Sequence, residues 1–245
     1  MIKGIFFDLG GTLFRYGGRM GGGGIRFVVN ELGISADPDE IGNAWRNASS
    51  SVGASYGRQR YFLHKDLFQD TLRAFLAQFD HQPNADLLEE FHQQQLAAML
   101  QHLPIRDECH DALRELKELG LYLSIVSNID DDYLDPLVTQ HDLDAYLTHW
   151  TSSEEAQSCK PDPDIYHYAL SKSGLALDDV LFVGDSLHHD VAGADAVGMQ
   201  SVRIVEEGVI TPLTHGLEIT AEPNHEITSL LDLVPLVARL NGIEP

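Results

Sequence analysis

The sequence predicts an α/β protein, a doubly wound parallel sheet with an all-α helical bundle inserted near its start. Three observations carry that prediction. Residues 2–8, 121–128 and 180–185 form short runs that stay apolar instead of alternating, and helical patterns separate them. Strands of that kind belong to a parallel sheet with both faces covered. Between about 25 and 103 the pattern is helical throughout, whereas after Pro104 helix and strand alternate. Each of the three apolar runs also ends on polar residues, and in an open α/β sheet those C-terminal tips line the ligand crevice.

Taken in order, residues 2–8 read as a buried strand stopped by glycines. The stretch YGGRMGGGG, Tyr16–Gly24, has six glycines in nine residues. It lacks the GxxxxGK[ST] order of a phosphate loop and no strand runs directly into it, so it reads as a flexible hinge. Helices are expected at Ile25–Leu32, Pro38–Ser50, Gln59–Phe79 and Ala85–Leu103, with Asp37 and Asn84 as N-caps. In the third helix Phe62, Leu67, Phe68, Leu72, Phe75, Leu76 and Phe79 form a stripe suited to bundle packing. Beyond Pro104 the pattern gives a helix at Glu108–Leu119 capped by Gly120, a strand at Leu121–Asn128 and a helix at Tyr133–His141. A short extended piece near Tyr146–Thr151 and a helix at Asp164–Ser173 follow. Then come a strand at Val180–Asp185, a helix at Asp190–Val197, a strand at Ser201–Val205 and a last helix near Ile227–Leu240. The implied division is a core of 1–15 with 104–245 and a helical cap of 16–103.

The 245 residues are 43% hydrophobic and 22% charged, enough for a sizeable core. A formal net charge of −22 excludes nucleic acid and anionic membrane as partners, since both require clustered Lys and Arg. Cys109 and Cys159 are far apart and lack metal-ligand spacing, which fits a reduced cytoplasmic setting. No apolar run is long enough to span a bilayer, and Asp8 interrupts any leader-like stretch at the N-terminus.

Three strand tips carry chemistry: Asp8 with Thr12, Ser127 with Asn128, and Asp185 with Ser186 and Asp190. Lys160, in SCKPDPDIY, adds a cation from the loop before a helix. Taken singly these are ordinary features, namely N-caps, turn residues and an exposed lysine. Together they suit a phosphoryl group and a divalent cation. Asp8 and Asp185 are hard oxygen ligands for Mg²⁺. Lys160 and Ser127 would hold phosphoryl oxygens, the amides after Asp8 would add donors, and Asn128 is placed on the cofactor side. A carboxylate can also act as the nucleophile.

The order FFDLGGTLF, IVSN, CKPDPDIY and VGDSLHHDVAGADAVGM resembles the four motifs of the haloacid dehalogenase (HAD) superfamily over nearly the whole chain. The last is the most specific, with Asp185, Ser186, Asp190, Gly193, Ala194 and Gly198 in register with GDSxxxDxxGAxxxGM. The resemblance implies a Rossmann-like core with a helical cap inserted after the first motif. It also implies Asp8 as nucleophile, the Gly10 carbonyl and Asp185 on Mg²⁺, and Thr12 and Ser127 on the phosphoryl oxygens. Lys160 would neutralise charge, and Asp190 would orient Lys160 or the metal's waters.

One position departs from the pattern. Family phosphatases usually read DxDGT, and the second Asp protonates the leaving group and activates water; here that residue is Gly10. Positioned acid–base catalysis contributes about 10²–10⁴-fold, so its loss falls hardest on poor leaving groups. His188 and His189, or Asp130, Asp131 and Asp132, lie near enough to be candidates to replace it, although they read better as first-turn residues of their helices. The expected function is Mg²⁺-dependent hydrolysis of a small phosphorylated metabolite through an Asp8 phospho-enzyme, slow or limited to good leaving groups. The alternatives are a phosphate-ligand binder without turnover, a dehalogenase-like hydrolase, and a phosphonatase-like hydrolase using Lys65.

Overall fold

The computed structural model describes residues 1–16, 22–207 and 220–243. Within them the chain forms two compact units, one of Met1–Tyr16 with Pro104–Pro245 and the other of Gly17–Leu103.

The first unit is built on six parallel strands: β1 (Gly4–Phe7), β2 (Tyr122–Ser127), β3 (His149–Ser152), β4 (Val180–Gly184), β5 (Gln200–Ile204) and β6 (His225–Ile227). Their order is β3-β2-β1-β4-β5-β6. Strand order reverses at β1, which pairs with β2 on one side and β4 on the other. Every residue of β1 and β4 is buried, which explains their continuous apolar character. Phe6, Val126, Ile165, Tyr166, Val180, Phe182 and Met199 form one core cluster of this unit. Phe7 stands opposite both Ile125 and Val183, so Ser127 and Asp185 are level with each other and Asp8 lies one residue short of them at the same edge of the sheet.

Between β1 and β2 lie α1 (Gly22–Glu31), α2 (Pro38–Tyr56), α3 (His64–Ala77), α4 (Ala85–His102) and α5 (Cys109–Glu118). The first four belong to the second unit. Its interior holds Ile25, Val28, Ala44, Ala48, Leu72, Phe75, Leu76, Leu88 and Phe91. Trp45 packs edge-on against Phe75, with ring centroids 5.8 Å apart. Asp37 and Asn84 cap α2 and α4, each side chain accepting a 2.8 Å bond from the amide three residues on. The apolar stripe of α3 is packed as its spacing requires, with Leu67, Leu72, Phe75 and Leu76 buried.

The remaining helices are α6 (Asp131–Gln140), α7 (Ser153–Ala156), α8 (Pro163–Ser173), α9 (Ala192–Val197) and α10 (Leu233–Leu240). Several differences from the sequence reading have physical causes. Of the hinge expected at Tyr16–Gly24, residues 17–21 lie outside the described residues, while Gly22 to Gly24 already open α1. α2 continues past Ser50 to Tyr56, whose hydroxyl donates to Asp70 on α3 at 2.7 Å and fixes the last turn. α3 starts at His64, five residues after the expected Gln59. The edge strand β6 was not foreseen. Only its last residue, Ile227, falls at the expected start of the last helix, and that helix begins at Leu233, after a capped turn on Ser229.

Candidate active site

The loop after β1 is held from several directions. The Asp8 amide donates to the Val183 carbonyl at 2.8 Å, continuing the β1–β4 ladder by one residue. The Leu9 carbonyl accepts from the amides of Leu13 and Phe14, both at 2.9 Å. Gly11 has φ +84°, which a side chain would strain, and a Cβ there would lie 2.5 Å from Asp185 Cγ. Arg106, only 3% exposed, closes the loop from outside. Its Nε donates to the Thr12 carbonyl and its Nη2 to the Gly11 carbonyl, each at 2.7 Å, and Glu206 pairs with Nη2 at 2.9 Å.

Asn128 and Lys160 are tied main chain to side chain. The Lys160 amide donates to Asn128 Oδ1 at 2.6 Å, and Asn128 Nδ2 donates to the Lys160 carbonyl at 2.8 Å. That tie aims the Lys160 stem inward over the Phe182 ring. Its Nζ reaches Asp8 Oδ1 at 2.6 Å and Asp190 Oδ1 at 2.7 Å. Asp190 Oδ2 accepts from the Ser186 amide at 2.9 Å, and Ser186 Oγ accepts from the His189 amide at 3.0 Å. Gly184 makes room for this, because a Cβ there would overlap the Asp190 carboxylate. Thr12 is buried and its hydroxyl donates to Asp8 Oδ2 at 3.5 Å. Ser127 is buried at the β2 tip.

The electrostatics follow from burial. Desolvation raises the Asp8 carboxyl to about 6, against the attraction of Lys160 and with further repulsion from Asp190. For Lys160 burial works against the charge, yet Asp190 and Asp8 together hold its ammonium above the usual lysine value. Oxygens of Asp8, Asp185 and Asp190 lie within 4.8 Å of one another and are all buried. Lys160 pairs with two of these three carboxylates. A hard, all-oxygen set with excess negative charge fits a divalent cation such as Mg²⁺.

The sequence-selected residues therefore converge to a large extent. Asp8, Thr12, Lys160, Asp190 and Ser186 are linked by hydrogen bonds, Asn128 holds Lys160, and Asp185 abuts the Gly11 turn. The Gly10 carbonyl is also in the site, accepting a bond from the Tyr16 hydroxyl at 2.8 Å. His189 Nδ1 lies 3.3 Å from Ser186 Oγ, with the His188 ring beside it. Asp131 accepts from the Ser152 hydroxyl, and buried Asp130 sits at the N-cap of α6. Lys65 pairs with Glu89 at 2.9 Å within the helical unit. Two residues escaped the sequence reading, Arg106 and Tyr16. Neither lies in a recognisable pattern; the arginine's signal is only its position directly after the Pro104 boundary.

A parallel α/β sheet with a helical insertion after its first strand, and a buried Asp–Lys–Asp cluster at the reversal of strand order, defines a class of hydrolytic folds. The chain matches the haloacid dehalogenase-like hydrolase family over residues 2–198 and belongs to it. It is 30% identical over 243 residues to an (S)-2-haloacid dehalogenase of Pseudomonas sp. strain YL, covering 98% of this chain and 97% of that one. To a glyceraldehyde 3-phosphate phosphatase of Methanocaldococcus jannaschii it is 26% identical over 243 residues, 98% of this chain and 99% of the other. The fold is similar to that of YfnB from Bacillus subtilis, solved bound to magnesium, with TM-score 0.75, 16% identity and coverage of 96% and 98%. Among the described residues no helix is long and apolar enough to cross a membrane.

Proposed function

We propose that this hydrolase is a Mg²⁺-dependent phosphomonoesterase of small metabolites, with residues 16–103 as its substrate-selecting cap on a core of 1–15 and 104–245. The observation that carries this reading is the charge balance of the cluster. Three clustered carboxylates share a single lysine, and the negative charge left over is what a divalent cation would balance, whereas displacement of halide calls for no cation. Asp8, Asp185 and the Gly10 carbonyl are the groups that would hold the cation. When bound, it neutralises charge on the phosphoryl oxygens.

In this reading the Asp8 carboxylate attacks phosphorus while the bond to the leaving oxygen breaks, giving an aspartyl-phosphate. Water then attacks the phosphorus, releasing phosphate and restoring Asp8. Lys160 keeps Asp8 ionised and aimed, and with Thr12 and Ser127 it offers donors to phosphoryl oxygens. Asn128 and Asp190 position Lys160. Because residue 10 has no side chain to give a proton, the leaving oxygen departs as an anion, which favours aryl and acyl phosphates over alkyl ones.

A second reading, dehalogenation, is favoured by the similarity to the Pseudomonas enzyme and by Gly10, since halide needs no proton. One panel separates them: phosphate esters, acyl phosphates and 2-haloacids, each with and without Mg²⁺. The phosphatase reading predicts Mg²⁺-dependent phosphate release, abolished in Asp8→Asn and extended to alkyl phosphates in Gly10→Asp. Halide release without metal would establish the second reading, and full phosphatase activity in Asp8→Asn would remove the nucleophile assignment.

A further inference from the structure

Tyr16 has no part in the chemistry above, yet its phenol lies among the groups assigned to the cation. Its hydroxyl donates to the Gly10 carbonyl at 2.8 Å. The Asp185 carboxylate lies beside the same phenol ring, at the Gly11 turn. The phenolic proton is thus held on one oxygen that the metal reading requires, and the ring lies against a second ligand group.

The ring lies directly against residue 10, within van der Waals reach of any side chain there. A Cβ built there would lie 3.4 Å from Tyr16 Cε1 and 3.9 Å from its hydroxyl. An aspartate would extend its carboxylate beyond that point, toward the space the ring now fills. Gly11 gives the same picture from the next residue: a Cβ there would meet Asp185 Oδ2 and Tyr16 Cε2, both at 2.6 Å. Phenol and carboxylate therefore share one small volume above the loop. A Mg²⁺ ion needs its oxygens at about 2.0–2.1 Å in octahedral array, and a hydroxyl hydrogen pointing at the Gly10 carbonyl obstructs that approach.

We propose that Tyr16 gates the cation site: its hydroxyl competes with Mg²⁺ for the Gly10 carbonyl, beside Asp185, and has to swing away before the ion can bind. This rests on the metal reading above. The departure at Gly10 then has a second meaning, since the side chain missing from that position leaves room for the gate.

The test is Mg²⁺ binding to the full chain by titration calorimetry, comparing wild type with Tyr16→Phe, Tyr16→Leu and Asp185→Asn. A net hydrogen bond to a carbonyl is strong enough that deleting the hydroxyl is expected to tighten Mg²⁺ binding by up to about tenfold. Tyr16→Leu, which removes ring and hydroxyl together, is expected to bind at least as tightly as Tyr16→Phe. In wild type, Mg²⁺ is also expected to perturb a tyrosine band in the near-ultraviolet difference spectrum that Tyr16→Phe lacks. Equal or weaker binding in both Tyr16 variants overturns the gate while leaving the metal site intact, provided wild type binds and Asp185→Asn does not. Failure of every protein to bind Mg²⁺ overturns the gate and the metal reading together.

Discussion

Replacing Lys160 with methionine removes the ammonium that bridges Asp8 and Asp190 at 2.6 and 2.7 Å, and leaves a chain of similar length in its place. Both carboxylates stay buried, with oxygens no more than 4.8 Å apart. At an effective dielectric of about 20, two unit charges at that separation repel by roughly 3.5 kcal/mol. That agrees with the usual loss of about 3–5 kcal/mol when one partner of a buried ion pair is deleted. The deficit must also depend on pH. Burial already holds the Asp8 carboxyl up at about 6 in spite of Lys160, and without the lysine it rises further. A raised carboxyl makes the folded state bind more protons than the unfolded one, so stability is regained as pH falls. We expect Lys160→Met to cost about 3–5 kcal/mol at pH 7 and distinctly less at pH 5, and Asp190→Asn on that background to restore a substantial part. The assay is urea unfolding in a Trp45→Phe background, where Trp150 on β3 reports the sheet unit alone, since Trp45 belongs to α2. A loss below about 1 kcal/mol, or one of equal size at both pH values, would refute the reasoning.

Arg106→Met should cost about 2–4 kcal/mol in urea unfolding, because the Gly11 and Thr12 carbonyls lose their buried donor; Arg106→Lys should recover only part. Gly184→Ala should lower stability by about 1–3 kcal/mol and reduce activity in any assay that depends on Lys160, since the new methyl overlaps the Asp190 carboxylate. Burial, helped by the nearby Lys172 charge, depresses the His149 imidazole to about 4. The folded state therefore binds fewer protons than the unfolded chain between roughly pH 6.5 and 4, and stability falls as pH drops through that window. With solvent screening of a partly exposed ring the loss is about 1–2 kcal/mol. Urea unfolding of His149→Gln at pH 7.5 and 4.5 should show a correspondingly flatter profile.

What the sequence revealed and what it hid divide along the range of the interactions. Strands β1, β2 and β4 announce themselves because full burial demands apolar residues without interruption, and their tips announce the site because the same runs end on Asp8, Ser127 and Asp185. Caps at Asp37 and Asn84 are local bonds spanning three residues, so they too are written in the chain. β6 escapes because three residues, His225–Ile227, are too few to show a period and belong to the sheet only through pairing with β5. Arg106 escapes because two of its partners are main-chain carbonyls, which leave no mark in a sequence, and the third, Glu206, is distant along the chain. Tyr16 escapes for the same reason: the partner of its hydroxyl is the Gly10 carbonyl. The choice between phosphate and halide is equally silent, since both chemistries are run on this fold by relatives of similar identity.

The reciprocal amide tie between Asn128 and Lys160 has a consequence for the speed with which the site can respond to an anion. A free lysine side chain loses up to about 2 kcal/mol of rotamer entropy on being ordered, and an enzyme that orders it only when substrate arrives bears that cost in every binding event. Here the main chain is clamped at both its N–H and its carbonyl, and the ammonium is seated between two carboxylates as the protein folds. The reorganisation is complete before any ligand arrives, so an incoming anion meets a positive charge whose position is already fixed.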